Sequence, residues 1–477
     1  MKKRLVLFEL NEVPVRVLDL FVAEFPKSSL AQLLATGAYV KTTSVDSGNL
    51  SPWITWPTLH RGVDNTKHGL TSFGQPLQKT GGEFPPIWQL LAANGLSVGV
   101  FGSLHSYPIP ADTNNYSFYI PDTFASGPEC IPTSIAAFQA FNLAMVSESA
   151  RNVSRNVPMS ALAFLPKAWS VGITLKSCWQ VVVQLTSEFV QPWKRTRRRS
   201  FQAILGFDVF YKLLRGNRPQ FATFFTNHFA SAMHRYWAAR FPEDFDRSEF
   251  DDEWRQKFRG EISLAMQQAD TLVGKLMQYC AEHEDTILLV TSSMGQAAHD
   301  ARRVSTQLVL VEPEVFMREM GMSDGLWEKR PAMVPQFNCV VRPQCEGAFN
   351  SALASLSVNG QILEYVTQPG GFFSICFGHL NLTDANCNIR LGNKIVPAHS
   401  VGLSNISIED EAGSTAYHIP EGILLAYDPT RSLSKAAAGT VQTTAIAPAI
   451  CDFFSVPLPA YMQRSPALHN IVTHDQH

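Results

Sequence analysis

The sequence predicts an α/β protein: a doubly wound, mostly parallel sheet with helices on both faces. Two observations carry that reading. Short apolar runs bounded by turn residues alternate along the chain with segments of helical periodicity. Some of those runs, such as "TILLV" in "TILLVTSSMG" (286–295), are apolar on both sides, as a strand buried between helix layers must be. A third observation, two stretches of different texture, predicts a helical insertion and a small α+β insertion.

The elements follow in order. "KRLVLFELNE" (3–12) reads as the first strand, with helix in "VRVLDLFVAEF" and "SLAQLLATG", where Gly37 is placed to end the second piece. "PIWQLLAANG" reads as helix and "SVGVFGS" (97–103) as strand. Residues 126–215 have periodic apolar segments, few glycines and the basic run "KRTRRRS" (194–200), the texture of a helical insertion or cap. The strand–helix alternation returns at "FATFFTNH" (221–228), and a long amphipathic helix over 253–282 leads to "TILLV". Between 310 and 410, "FNCVVRP", "GAFNSALASL", "QILEYVTQ" and "FFSICFG" read as strand, helix, strand and strand. "GILLAYDP" and "TTAIAPAICDFFSVPLP" close the chain as strand and helix. The expected division is core 1–125, helical insertion 126–215, core 216–309, small α+β insertion 310–410 and core 411–477.

Composition narrows the classes. With 477 residues, 45% hydrophobic and 17% charged, the chain is globular and long enough for a large core. Its 39 basic and 41 acidic residues give no overall bias toward nucleic acid or acidic lipid. Glu9 and Glu12 interrupt the first apolar stretch, which lacks the features of a signal peptide. Eight cysteines without a CxxC pair fit reduced thiols, so the expected compartment is cytoplasmic. In "SVGITLKSCWQVVVQLTSEFV" (170–190), Lys176 and Glu188 favour an amphipathic helix facing protein over a membrane span. The basic run after it is a solvated face or a membrane-surface contact. A lid over a lipid-linked or glycan substrate, built from 170–200, is the weaker extension of that idea.

Five segments place polar side chains of ligand type at strand ends: "FELNEVP" (8–14), "SPWITWPTLHRGVDNTKHG" (51–69), "TNHFASAMHRYW" (226–237), "TSSMG" (291–295) and "STAYHIPEGILLAYDP" (414–429). Open α/β sheets carry their chemistry at this edge. The order and spacing of these segments resemble the alkaline phosphatase superfamily, in its type I phosphodiesterase and sulfatase-like branch. The resemblance covers about 1–125, 215–300 and 410–470, and not the insertions.

That resemblance implies a phosphate or sulfate ester as substrate. It also implies a hydroxyl or thiol nucleophile at a helix N-terminus between two divalent metals. His418 falls at a metal-ligand position, and Ser51 at or beside the nucleophile position, with Thr55 and Thr58 as the other hydroxyls. Ser51 before Pro52 is also a sound helix N-cap. At the first strand's end, Glu9, Asn11 and Glu12 stand where the family has Asp. Alternation puts Glu9 and Asn11 on one face; Glu9 is the better hard-metal ligand, and Asn11 sits nearer the expected position. Asn227 replaces the next Asp, His234 follows seven residues later, and His228 is a rival. Arg61 and His68 would hold the anion, and His299 is a further substrate contact if it folds back.

Where relatives end a strand in Asp-His-Gly, this chain has Ser293, Met294 and Gly295, and neither Ser nor Met replaces a carboxylate or imidazole for Zn²⁺ or Mn²⁺. The expected site therefore holds at most one metal, zinc or manganese, built from His234, His418 and Asn227 or Glu9. Two functions follow: an ester hydrolase or transferase with a reduced or reorganised site, or an inactive phosphatase-like protein that binds a ligand or partner.

Overall fold

The computed structural model describes residues 3–147, 152, 164–383, 387–431, 433 and 439–468. Its centre is an eight-stranded sheet. Six of the strands are β1 (Arg4–Leu10), β2 (Ala38–Thr43), β3 (Val98–Phe101), β4 (Tyr116–Ile120), β5 (Phe221–Thr226) and β6 (Thr286–Thr291). From one edge the order is Thr440–Gln442, β2, Glu421–Tyr427, β6, β1, β5, β3, β4. β1 pairs in parallel with both β5 and β6, and β3 with β5 and β4. Glu421–Tyr427 alone runs antiparallel to both its neighbours, β2 and β6. The predicted fold class, a mostly parallel sheet with helices on both faces, is the observed one.

Alternation along β1 explains the layers. Val6, Phe8 and Leu10 enter one apolar cluster with the helices α1 (Val15–Glu24), α2 (Ser29–Thr36), Arg198–Asn217, His228–Arg240 and Glu261–Glu282. Leu5 and Leu7 enter the other, with α3 (Pro52–Arg61), Ile87–Ala93 and Ile446–Phe454. Each fully buried Leu or Phe stabilises the fold by about 1.5–3 kcal/mol, so β1, buried from Leu5 onward, anchors both layers.

Gly37 does end α2, but not through a left-handed cap. Its backbone is extended, and a Cβ there would lie 2.2 Å from the Ala426 carbonyl oxygen. The long helix expected over 253–282 is two, Asp252–Phe258 and Glu261–Glu282, interrupted at Arg259 and Gly260, whereas Gly274 sits inside the second helix. The break lets Phe258 stack on Tyr236, with centroids 4.7 Å apart.

Within 126–215, the stretch expected to be a helical insertion, the structure has the helices Ala136–Ser147 and Leu175–Val190 and the start of Arg198–Asn217; 148–151 and 153–163 lie outside the described residues. Arg198–Asn217 packs on the sheet through Phe207 and Phe210 against Phe224. The basic run is half-buried, and three of its arginines are paired. Arg195 pairs with Glu409 and Arg197 with Glu261, which ties this stretch to the rest of the protein, while Arg198 pairs with Glu188 within 126–215. The small α+β unit has two four-stranded sheets and an apolar core of its own, centred on Phe316, Phe349, Phe373 and Ile389.

Candidate functional site

Among the described residues, one group of metal-ligand type converges: Glu12, His234 and His418, with ligand atoms all within 4.8 Å of one another. It lies just beyond the carboxyl end of β1, where the doubly wound topology opens a crevice. The chain turns sharply after Leu10, and Glu12 adopts a left-handed backbone, φ 62°. That conformation is costly for a residue with a Cβ. It turns the Glu12 side chain toward the helix His228–Arg240 and the strand Ala416–Ile419, which supply the two histidines.

Each histidine is aimed by its backbone-facing nitrogen. His234 Nδ1–H donates to the Ala416 carbonyl at 2.8 Å, and His418 Nδ1–H to the Leu50 carbonyl at 2.7 Å. Both Nε2 atoms therefore point to Glu12 Oε2, at 2.9 Å and 3.4 Å. Nδ1 fixed on a carbonyl and Nε2 turned toward the common centre is the orientation that metal-binding imidazoles adopt. Strand pairing holds the frame, because His418 lies opposite Gln296 where Ala416–Ile419 pairs with β7 (Gly295–Ala298). Gln296 Nε2 donates to Glu12 Oε2, and Asn11 Nδ2 to Glu12 Oε1 at 2.7 Å.

Burial alone would raise the Glu12 pKa, but the charges of His418 and His234, and their hydrogen bonds, hold it well below the carboxylate range. For His418 burial opposes charge, yet Glu12 and the Leu50 carbonyl raise its pKa. The donor set, one ionised carboxylate and two oriented imidazoles, fits a zinc-type centre with room for a further ligand. His234 is partly exposed, which leaves an opening to solvent.

The other residues predicted for the site are placed as follows. Asn11 sits at the rim of the cluster as an amide hub; its Nδ2 also donates to Asn227 Oδ1, and its Oδ1 accepts from Trp56 Nε1 at 2.6 Å. Asn227 thus reaches Glu12 only through Asn11. Glu9 lies on the β1 face that carries Leu5 and Leu7, fully buried against His60 Nε2 at 2.8 Å, because every second residue of a strand shares a face. Alternation passes over Glu12, the residue that the turn delivers. The sequence does carry an acid between the strand and Pro14, but the left-handed turn is not written in any periodicity.

Ser51 precedes α3 as its N-cap residue, half-buried, and its hydroxyl makes no cap bond. Thr55 is fully buried, and its hydroxyl is shared with Ser293 Oγ at 2.7 Å. Ser292 Oγ donates to the Val13 carbonyl and accepts from Ile423 N–H. The serines after β6 thus stitch three strand ends together, and Met294 packs fully buried beside them.

Thr58 belongs to a second polar group, donating to Asp46 Oδ1 at 2.6 Å and accepting from His68 Nε2 at 2.9 Å. Arg61 is buried near Tyr119 and Tyr461, and burial lowers its pKa to about 10. His228 bonds Thr226 Oγ1 at 3.1 Å, and His299 lies against the Tyr417 ring, centroids 5.4 Å apart, without folding back to β6.

Acid should find the histidines outside the cluster. Burial, and secondarily Arg61, pushes His68 and His105 down to about 3; burial with Arg199 pushes His228 to about 4. Below the unfolded value of about 6.5 the unfolded chain binds protons that the folded chain does not. Stability is therefore expected to fall as pH drops from about 6.5 toward 3, each histidine adding up to about 1.4 kcal/mol per pH unit. Urea midpoints measured from pH 7 to pH 5 check this, and His68→Phe should flatten the slope; an unchanged slope in that variant contradicts it.

Fold and site define a class: an α/β protein with a Glu-His-His cluster at the carboxyl edge of its central sheet. No family model and no curated protein matches the chain. Among solved structures, it is similar to murine ectonucleotide pyrophosphatase/phosphodiesterase 5, at 13% identity over 97% of each chain with a TM-score of 0.42. The human counterpart aligns at 12% identity over 98% of this chain and 99% of that one, TM-score 0.41. Phosphonoacetate hydrolase from Sinorhizobium meliloti 1021, in complex with phosphonoformate, aligns at 12% identity over 94% of each, TM-score 0.38. At these scores the neighbours carry no argument about the chemistry of this chain.

Proposed function

We propose that the protein is a hydrolase or transferase of phosphate or sulfate esters that uses one divalent metal, held by Glu12, His234 and His418. The observation that carries this is the strained left-handed Glu12, which places a carboxylate between two imidazoles already oriented by backbone carbonyls. Backbone strain of this kind persists where the surrounding structure holds it for function. The order of the strand-end motifs, which resembles the phosphodiesterase and sulfatase-like branch, supplies the substrate class. A bound zinc or manganese ion would polarise the ester oxygen and favour a deprotonated hydroxyl.

Ser51 is the hydroxyl we assign to receive the transferred group. It stands at the N-terminus of α3, where the helix dipole favours developing negative charge. It is also next to Leu50, whose carbonyl aims His418. Thr55, buried and bonded to Ser293, supports the start of the helix instead. The expected result is metal-dependent release of product from an aryl phosphate monoester, diester or sulfate. Ser51→Ala should lose about a hundredfold or more of that rate, and Thr55→Val should keep more of it. Full activity in Ser51→Ala refutes the assignment.

A second reading has its own support: Thr55, Ser293 and Met294 are fully buried where the resembling family keeps its reacting groups. A metal-loaded protein without turnover on any of the three esters would favour a binding protein.

A further inference from the structure

The helix Leu175–Val190 is built inside out. At 100° per residue, Leu175, Trp179, Val182, Val183, Phe189 and Val190 share one side of it. All six are exposed; Phe189 is 88% and Trp179 67% accessible, and Trp169 in the preceding turn is 69% accessible. The buried side is polar: Ser177, Gln184 and Glu188. Those inward groups are satisfied. Gln184 Nε2 donates to Glu188 Oε1 and to the Lys194 carbonyl, and Glu188 pairs with Arg198 at 2.6 Å. The N-cap Thr174 is tied to Asp208. The orientation is thus set by hydrogen bonds, and it leaves to water an apolar stripe that soluble proteins rarely leave uncovered.

Charge says what covers it. Between 164 and 194 the only acid is Glu188, which is buried, while Lys167 and Lys176 are exposed and Lys194 is half-buried beside Trp193. A second copy laid on this face would add cations to cations. No helix among the described residues is long and apolar enough to cross a membrane, and this one has 16 residues. An apolar face with Trp, Phe and Leu, edged by lysine, is the composition of a helix lying in a bilayer interface.

We propose that the helix Leu175–Val190 docks the protein on anionic lipid bilayers. Its aromatic and aliphatic side chains enter the headgroup–acyl boundary, and Lys167 and Lys176 face the acidic headgroups. The inference stands independently of the metal site.

The test is co-sedimentation of the full chain with phosphatidylglycerol/phosphatidylcholine vesicles and with phosphatidylcholine vesicles, beside sedimentation velocity without lipid. The wild type should bind the anionic vesicles more strongly than the neutral ones. Trp179→Ser combined with Phe189→Ser should weaken binding by about tenfold or more, with an unchanged melting temperature because both side chains are exposed. Lys176→Glu should weaken only the anionic binding. No binding to either vesicle, equal binding to both, or binding that survives the double substitution overturns the proposal. A wild-type dimer that the double substitution disperses, without vesicle binding, assigns the face to a second copy instead.

Discussion

Glu12→Gln is expected to weaken zinc binding by about a hundredfold or more. A structural zinc site of four ligands is worth about 10–16 kcal/mol, so one ligand accounts for about 3 kcal/mol. Gln keeps the volume and an acceptor for Asn11, but it has no charge. With Glu12 neutral, His418 loses the main partner that raises its pKa, and only the Leu50 carbonyl is left to oppose burial. Competition titration against a chromophoric chelator reads the effect. Glu12→Gly sharpens it: glycine takes φ 62° without the penalty that a Cβ meets there. The chain should stay folded while affinity drops by at least as much. Unchanged affinity in both variants would mean that Glu12 serves only as an ion-pair partner for the histidines.

The second large effect concerns stability. Asp410→Ala should destabilise the fold by about 3–5 kcal/mol. Arg235, on the helix that carries His234, is buried and bonded to Asp410, which is buried as well. The Asp410 carbonyl also accepts from Trp254 Nε1 at 3.1 Å. Removing the carboxylate leaves the guanidinium charge in the interior without its main counter-charge, which costs more than the pair contributes. Replacing both, Arg235→Met with Asp410→Leu, should recover most of the loss. Urea unfolding of the three variants measures it; a loss below about 1 kcal/mol for Asp410→Ala would contradict the account.

Much of the fold was readable because its information is local. Short apolar runs bounded by turn residues, such as "TILLV" and "FATFF", read as strands between two layers, and "SPW" marks a helix start without any contact being known. The site was half readable. His234 and His418 are set by their elements, and the serines after β6 visibly lack ligand chemistry. Glu12 was passed over in favour of Glu9 because a two-residue period describes a strand and not the turn after it. The partners of the basic run were unreadable for a different reason. Arg195 meets Glu409 and Arg197 meets Glu261 only once this stretch has packed on the rest of the protein, and no spacing encodes those meetings. Periodicity likewise shows that 175–190 is amphipathic, but not which side faces the protein.

The account turns on one claim, that Glu12, His234 and His418 bind a metal. Elemental analysis of the purified protein tests it most directly, on the wild type and on His418→Ala, after loading with zinc and with manganese. About one ion per chain in the wild type, lost in His418→Ala, is the predicted result. No metal under either loading condition, or the same metal content in His418→Ala, would contradict it.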